Sequence, residues 1–457
     1  MKHKLVTLVL AIVVIASLVV VGCTKPAPAP APAPSPAPTP APAGPEEILV
    51  GSSAAMTGMF AGFGVGTIFG AQAATDDINK QGGVYVEEYG RKLPVRLIVA
   101  DNESDLIKAG TLVENLILHD KVNLLLAQTL PMPTGGAPLA DKYKIPNIIG
   151  GGPLEPTLAM RGESESHWPY TWHCGFAIAM PAPPGDFRHD KPGYTLIDTW
   201  KGVMDKFSDQ TNKKVGVFAS DDPDGVGWYA LFPSILEGWG YDVVGEERKL
   251  GLFPIGTTDF TPLIEEWKDY GVEILWGNCP GPVFGTLWRQ AHTQGFEPKL
   301  ASIARAACFY HDVTAWGGDL PEGICTEVWW RPSYKDCPGI GGTTPETLFE
   351  RWLEETGEPL NQALGYGYTP MQILFDAIER AGTLDGDKVN KAIGETDIPA
   401  INSRALFNKE TQFCRLPLTV GQWQKTDKPW IWECPVVFSD HDFAPATAMI
   451  IFPIPYE

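Results

Sequence analysis

Short apolar runs alternate with longer amphipathic stretches along the first third of this chain. The apolar runs are typical of strands buried on both faces, and they lie at 47–52, 95–100, 122–127 and 146–150. The amphipathic stretches have the spacing of helices, and they lie at 66–80, 106–119 and 136–144. The alternation predicts a parallel sheet that is covered by helices on both faces.

A second series of the same kind begins at Lys214. Strands are predicted at 215–220, 241–250, 272–277 and 299–303. Helices are predicted at 225–240, 261–270, 282–294, 345–355 and 369–380. The C-terminal region is richer in strand-forming residues and tryptophan. The pattern predicts an α/β protein with two doubly wound, Rossmann-like lobes and no short repeat.

In sheets of this kind, ligands bind beyond the carboxyl ends of the strands. The loops that follow the predicted strands are 53–64, 128–135, 151–156, 221–228, 278–282 and 304–310. With two lobes, the two sets of loops can face each other across a cleft. We therefore expect the functional residues in these loops.

The N-terminus predicts export. Lys2 and Lys4 precede a nearly unbroken apolar run over 5–21, and the run ends before Cys23 in a pattern that resembles the bacterial lipobox. We interpret 1–22 as a lipoprotein signal peptide and Cys23 as the lipidated residue. An uncleaved anchor or an ordinary signal peptide are the alternatives, and each of them also exports the body.

An alternating Pro-Ala tract follows the predicted lipidation site, and residues 23–46 are expected to form a tether. Such a tract favours polyproline II, in which about 20 residues at ~3.1 Å each span roughly 60 Å. The prediction is a body that is lipid-anchored to the cell membrane and faces the periplasm or the outside.

Composition narrows the classes of partner. Lys and Arg number 35 against 55 Asp and Glu, which gives a net charge of −20. A protein that binds duplex nucleic acid is expected to carry the opposite sign, so no nucleic-acid partner is predicted.

The cysteines offer little chemistry by their spacing. Seven of the eight remain when Cys23 is set aside, so at least one is unpaired within the chain. Proximity in sequence makes Cys325–Cys337 and Cys414–Cys434 plausible disulfides. Neither the Cys308 to His311 spacing nor the His173-Cys174 pair matches a zinc pattern, and no metal site is predicted.

Enzyme motifs are missing from the expected loops. Gly62, Gly64 and Gly66 suggest a dinucleotide fingerprint, but Thr67 and Phe69 stand where its last glycine would be needed. The sequence has no phosphate-binding P-loop motif, no HExxH and no GxSxG. We predict a protein that is not an enzyme and that uses no cofactor.

Several blocks of sequence resemble one family. They are ILVGSSAAMTGMFAGFGVGTIFGAQAATDDINKQGG at 48–83, APLADKYKIPNI at 137–148, KVGVFASDDPDG at 214–225 with GTTDF at 256–260, GDLPEG at 318–323, and GYGYTPMQILFDAIERAG at 365–382. In this order they resemble the branched-chain amino-acid-type solute-binding lipoproteins of ABC importers, which are type I periplasmic binding proteins.

The resemblance implies two lobes that are joined by a three-strand hinge and close on a small ligand. The implied crossings near 170, 328 and 400 give a first lobe of 47–170 plus 328–400, and a second lobe of 171–327 plus 401–457. It also implies a monomer that delivers its solute to ABC permease subunits.

The resemblance further implies where a ligand is held. The first loop would contribute Thr57 and Phe63. The carboxylate of an amino acid would lie against Thr129, Leu130, Gly151, Gly152 and Pro153. Here the usual hydroxyl pair is missing, and proline has no N–H to donate. For the two glycines a plain tight turn is the alternative.

The side that would hold an amine departs further from the family. Asp224 and Asn278 stand where aromatic residues are expected, and Arg305 lies near the position of the usual acid. Asp224 could replace that acid or be an ordinary turn residue. Tyr366, like Phe63, could line a pocket or pack within its lobe.

The sequence thus predicts an exported solute-binding protein for a small polar ligand. The altered loops disfavour a standard branched-chain amino acid and favour an organic acid, an amide or a modified amino acid. The alternatives are a ligand-sensing receptor domain of the same fold and, further off, a hydrolase.

Overall fold

The computed structural model describes residues 44–128, 136–163, 167–244 and 250–456. The strands are β1 Ile48–Ala54, β2 Val84–Val86, β3 Arg91–Leu93, β4 Val95–Asp101, β5 Leu124–Gln128, β6 Asn147–Pro153, β7 Thr171–Phe176, β8 Lys214–Ser220, β9 Asp242–Val244, β10 Leu252–Phe253, β11 Ile274–Cys279, β12 Leu300–Arg305, β13 Cys325–Val328, β14 Asp397–Pro399, β15 Arg404–Asn408, β16 Phe413–Arg415, β17 Thr419–Gln422, β18 Gln424–Lys425, β19 Trp432–Glu433 and β20 Val436–Phe438. The helices are α1 Ala61–Lys80, α2 Leu106–Leu118, α3 Ala137–Tyr143, α4 Leu154–Glu163, α5 Leu196–Phe207, α6 Pro223–Gly238, α7 Thr261–Tyr270, α8 Gly281–Thr293, α9 Tyr310–Thr314, α10 Pro345–Thr356, α11 Leu364–Ala381 and α12 Gly386–Ile393.

Two eight-stranded sheets form the centres of two lobes. The first has the order β14-β15-β16-β7-β6-β5-β1-β4, and its strands from β16 to β4 are parallel. The second has the order β10-β8-β11-β12-β13-β17-β20, with β9 also paired to β8. Its first five strands are parallel, while β17 and β20 are antiparallel. The predicted α/β class with two lobes is confirmed.

The close packing of α1 against α11 depends on two glycines. A Cβ on Gly70 of α1 would lie 1.9 Å from the Leu364 carbonyl oxygen, and one on Gly367 of α11 would lie 1.8 Å from that of Thr67. No side chain can be accommodated at such distances, so the backbones of α1 and α11 come into direct contact. This packing positions the first turn of each helix.

The chain passes between the two sheets three times within the described residues. It leaves the first sheet after β7, returns after β13, and leaves again between β16 and β17. The connecting segments are 177–195, 329–344 and 416–418. They bring the carboxyl ends of both sets of parallel strands to the same cleft.

Strand pairing gives lobe boundaries that differ from those implied by the family resemblance. β7 pairs with β6 and β16 in the first sheet, and β15 pairs with β16 there. The predicted boundaries at 170 and 400 left β7, β15 and β16 in the second lobe. A sequence pattern can show that a segment is extended, but the partner of a strand is a tertiary contact. Helices α4, α5 and α12 were likewise not predicted.

The cysteines do not pair as proximity in sequence suggested. All seven in the described part are buried and free, so the Cys325–Cys337 and Cys414–Cys434 disulfides are wrong for this structure. Cys414 lies directly opposite Cys174 across the β16–β7 pair. Within the described ranges there is no cluster of His, Cys, Asp or Glu that could hold a metal ion. No helix in those ranges is long and apolar enough to cross a bilayer.

Candidate ligand-binding site

A cavity lies between the two lobes, at the carboxyl ends of their parallel strands. It has about 490 Å³ of space free of protein atoms, part of it open to solvent. Its first-lobe wall consists of Phe63, Gly152, Pro153, Pro156, Thr157, Met160 and Phe176. Its second-lobe wall consists of Asp224, Trp228, Asn278, Ala304, Arg305 and Glu327. Trp329, in the segment that crosses between the sheets, joins the two walls.

Aromatic side chains from the first-lobe wall and from the crossing segment pack together beside the cavity. The Trp329 ring stacks on Tyr366 with centroids 5.4 Å apart and planes 7° from parallel, and on Phe176 at 6.2 Å and 22°. Phe63, in the first turn of α1, lies 5.4 Å from Trp329 and packs edge-on against Phe309 at 4.6 Å. This rigid apolar surface suits the body of an apolar or aromatic solute.

A turn within the carboxyl end of β6, where pairing with β7 is irregular between Gly150 and Pro153, brings backbone to the same wall. Gly151 has φ 86° and Gly152 has φ 73°, a left-handed conformation that glycine adopts without the steric cost of a side chain. The turn directs Gly152 and Pro153 to the cavity, while the Gly151 carbonyl lies 2.6 Å from Nε2 of His173. The two alternatives considered for Gly151 and Gly152, a tight turn and a close approach to a ligand, are thus compatible, because the turn itself places Gly152 beside the cavity.

A charged network holds the second-lobe wall. Arg305, at the end of β12 with φ 60°, donates from Nη1 and Nη2 to the two carboxylate oxygens of Asp222 at 3.2 and 2.9 Å. Nη2 also donates to Ser220 Oγ at 2.6 Å, and Nη1 lies 3.6 Å from Asp224 Oδ2. Burial acts to raise the pKa of Asp222, but Arg305, together with hydrogen bonds from Ser220 and the Gly225 amide, lowers it overall. Asp222 also caps α6, because its side chain accepts from the amides of Asp224 and Gly225.

Asp224 and Asn278 form the middle of this wall. The Asp224 carboxylate accepts from Trp228 Nε1 and from Asn278 Nδ2, each at 3.0 Å. Burial raises the pKa of Asp224, and the charge of Arg305 acts against that rise. Because a carboxylate accepts hydrogen bonds, the amide nitrogen of Asn278 must face it, which leaves the carbonyl oxygen of Asn278 free.

Glu327 contributes a third carboxyl group. It lies on β13 and is 2% exposed. Its oxygens accept from the Arg305 amide at 3.2 Å, the Cys308 thiol at 3.2 Å and the Thr326 hydroxyl at 3.1 Å. Burial raises its pKa to about 7, against the opposing effect of these hydrogen bonds. The group therefore titrates near neutral pH.

Four buried polar atoms of the lining have no hydrogen-bond partner in the protein. They are Thr157 Oγ1, Asn278 Oδ1, Arg305 Nε and Trp329 Nε1. A buried polar group without a hydrogen-bond partner costs free energy, so such groups concentrate where a ligand or water supplies the missing hydrogen bond. They come from both walls and from the crossing segment between them.

The structure brings together part of the predicted site. Phe63, Gly152, Pro153, Asp224, Asn278 and Arg305 line the cavity. Gly151 and Tyr366 lie behind it, with Tyr366 supporting Trp329. Thr57 does not line it: its hydroxyl donates to Asp101 at 2.8 Å in an exposed loop. Thr129, Leu130 and Cys23 lie outside the described residues.

Sequence reasoning missed Thr157, Glu327 and Trp329. Thr157 belongs to α4, which was not predicted. Trp329 and Trp228, which both border the cavity, are large apolar residues of the kind that fill a core. Glu327 did leave a signal, because it is a charged residue that directly precedes the apolar residues Val328, Trp329 and Trp330. An unpaired charge in a buried strand marks a functional candidate.

Comparison with known proteins gives a consistent result. A profile of the periplasmic binding protein family matches residues 47–428. The chain is 25% identical over 351 residues to the Leu/Ile/Val-binding protein homolog 1 of Brucella abortus, covering 76% of this chain and 82% of that one.

Solved structures share the fold. A leucine-binding protein from Thermotoga maritima aligns with TM-score 0.64 and 18% identity, covering 86% of this chain and 98% of that one. A solute-binding protein of an ABC transporter from Rhodopseudomonas palustris BisB5, solved with 3,4-dihydroxybenzoic acid, aligns with TM-score 0.63 and 18% identity over 87% and 99%. Periplasmic binding proteins are exported solute-binding proteins rather than enzymes. The matched profile spans most of the chain, which belongs to the periplasmic binding protein family with a type I fold.

Proposed function

We propose that this protein is the extracytoplasmic solute-binding component of an ABC importer and captures a small polar solute in the cavity between its lobes. The unpartnered polar atoms of the cavity carry the proposal, because Thr157 lies in the first lobe and Asn278 and Arg305 in the second. A solute that completes atoms on both walls binds the closed arrangement best. Binding energy thereby drives closure.

The purified protein tests this proposal in thermal unfolding against a panel of solutes. The panel contains leucine and other amino acids, 3,4-dihydroxybenzoate and other organic acids, and neutral amides. A ligand at 100 times its Kd stabilises the folded state by about 2.7 kcal/mol and raises the midpoint. A panel without any shift contradicts solute capture at this cavity.

The import role has its own test. Deletion of the gene in the native host should abolish uptake of the bound solute, and the closed, solute-loaded protein should bind the permease more tightly than the free protein does. Loss of a transcriptional or chemotactic response with unchanged uptake would favour the sensing alternative.

Membrane attachment through Cys23 is part of the proposal. The tract at 23–46 then acts as a tether between the lipid and the lobes. Cys23→Ser should release the protein from the membrane fraction while leaving its solute affinity unchanged. Equal membrane association of the variant would contradict a lipid anchor.

A further inference from the structure

The positive charge of the cavity is already paired within the protein. Arg305 is the one cation among the described residues that line it, and its two terminal nitrogens are taken by Asp222 and Ser220. Asp224 lies a further 3.6 Å from the guanidinium. The described lining therefore offers no unpaired side-chain cation that could form an ion pair with an incoming anion.

An ionised carboxylate would be poorly accommodated here. It would lose its hydration and meet the carboxyl groups of Asp224 and Glu327, with Arg305 already engaged. Removing a charge from water without a partner is strongly unfavourable. An expected role of Arg305 as the anchor of an organic acid therefore does not fit its contacts.

A cation is also poorly served. The oxygens of Asp224 accept from Trp228 and Asn278, and those of Glu327 accept from the Arg305 amide, Cys308 and Thr326. Each carboxylate oxygen thus already accepts at least one hydrogen bond from the protein, and an incoming ammonium would have to share these acceptors. The atoms left over are uncharged groups and one N–H of a neutralised guanidinium.

These leftover atoms define a donor and acceptor pattern. Asn278 Oδ1 needs a donor, while Trp329 Nε1 and Arg305 Nε need acceptors. The Thr157 hydroxyl, on the opposite wall, can serve as either. A carboxamide presents an N–H donor and a carbonyl acceptor together without charge, and Phe63, Phe176 and Met160 provide an apolar surface beside it.

Resting on the proposed function, we propose that the cavity selects neutral carboxamides with an aromatic or branched apolar body over the matching carboxylates and amines. The amide group lies between Thr157 of the first lobe and Asn278 of the second, so the group that is recognised is also the group that holds the lobes together.

Isothermal titration of the purified protein with benzamide, benzoate and benzylamine tests the selection, and isovaleramide with isovalerate repeats it for a branched body. We expect each amide to bind with a dissociation constant at least about ten times lower than those of its charged counterparts. Benzoate or benzylamine binding as tightly as benzamide overturns the proposal, and so does the absence of binding by both amides.

The solute panel separates this failure from that of the proposed function. If leucine or 3,4-dihydroxybenzoate stabilises the protein and the amides do not, selection for amides is wrong and solute capture stands. If no solute of the panel stabilises it, both are wrong.

Thr157→Val tests the first-lobe contact with a side chain of the same shape. It should weaken binding of the better amide about fivefold, the effect of one lost neutral hydrogen bond. Thr75→Val is the matched control, because Thr75 is a buried helical threonine whose hydroxyl donates to the Ala71 carbonyl away from the cavity. Equal affinities of the two variants would overturn the role given to Thr157.

Discussion

The two walls of the cavity are stabilised in different ways. The first-lobe wall packs the rings of Phe63 and Phe176 against Trp329 of the crossing segment, and it gains free energy from buried apolar area. The second-lobe wall is a hydrogen-bonded network around Arg305, in which buried charges compensate one another. An apolar wall tolerates changes of shape at moderate cost, whereas a network of buried charges fails when one member is removed.

This contrast has a consequence for recognition. Rings present a broad surface that accepts solutes of various shapes, while a network offers only the atoms that its own bonds leave free. In this cavity those free atoms include Asn278 Oδ1 and Arg305 Nε. The second wall should therefore set which polar groups are accepted, and the first wall how large an apolar body is accommodated.

Removing the central cation should have the largest effect on stability. Arg305→Met removes the counterion of the partly buried Asp222 and the buried Asp224, and we expect a loss of about 4 kcal/mol in the free energy of unfolding, measured by urea denaturation. Arg351→Met is the matched control: Arg351 is more exposed and lies 3.2 Å from Asp77 in the first lobe. Similar losses in the two variants would contradict a special role for the second-wall network.

Truncating the central ring should come next. Trp329→Ala removes the stack on Tyr366 and Phe176, and we expect a loss of about 3 kcal/mol with weakened solute binding. Trp329→Phe keeps a ring but loses the indole N–H, so it should restore most of the stability and little of the affinity. Full recovery of affinity by Trp329→Phe would show that the N–H does not contact the solute.

Glu327 should make stability depend on pH. Its pKa is raised from 4.5 to about 7, so the folded state binds the proton more tightly than the unfolded state does. The free energy of unfolding therefore falls as pH rises from 4.5 to 7, by at most about 3 kcal/mol from this group. Denaturation at a series of pH values should show a flatter dependence in Glu327→Gln.

Asp312 provides the control for this titration. Burial also raises its pKa to about 7, but it does not line the cavity. Asp312→Asn should flatten the pH dependence of stability in the same direction while leaving solute affinity unchanged. An identical pH profile in Glu327→Gln and the parent protein would contradict the burial argument for Glu327.

The smallest effect is expected at the edge of the aromatic wall. Phe63→Leu keeps apolar volume but loses the edge-on contact with Phe309, so we expect about 1 kcal/mol of destabilisation and weaker binding of aromatic solutes. Phe69→Leu is the control, because Phe69 lies in the same helix as Phe63 and packs edge-on against Trp352 of α10, outside the cavity. A loss of affinity in both variants would indicate a general effect on α1.

The sequence determined the fold class because the periods of strand and helix are local properties. Apolar runs such as 95–100 and 272–277 became parallel strands β4 and β11, and the amphipathic stretches between them became helices. It also directed attention to the carboxyl ends of the strands, where Asn278 on β11 and Arg305 on β12 line the cavity.

Tertiary structure decided which strands pair and which hydrogen-bond partners the side chains of the site have. The boundary near 170 that the family resemblance implied left β7 in the second lobe, whereas β7 pairs with β6 and β16 of the first sheet. The sequence left Arg305 free to hold an anion because the salt bridge to Asp222 joins residues far apart in the chain. Likewise, Trp329 had the composition of a core residue, and only the crossing of the chain between the lobes placed it beside the cavity. Local periodicity is encoded in neighbouring residues, whereas the protonation, hydrogen bonding and exposure of a binding site depend on which distant residues meet.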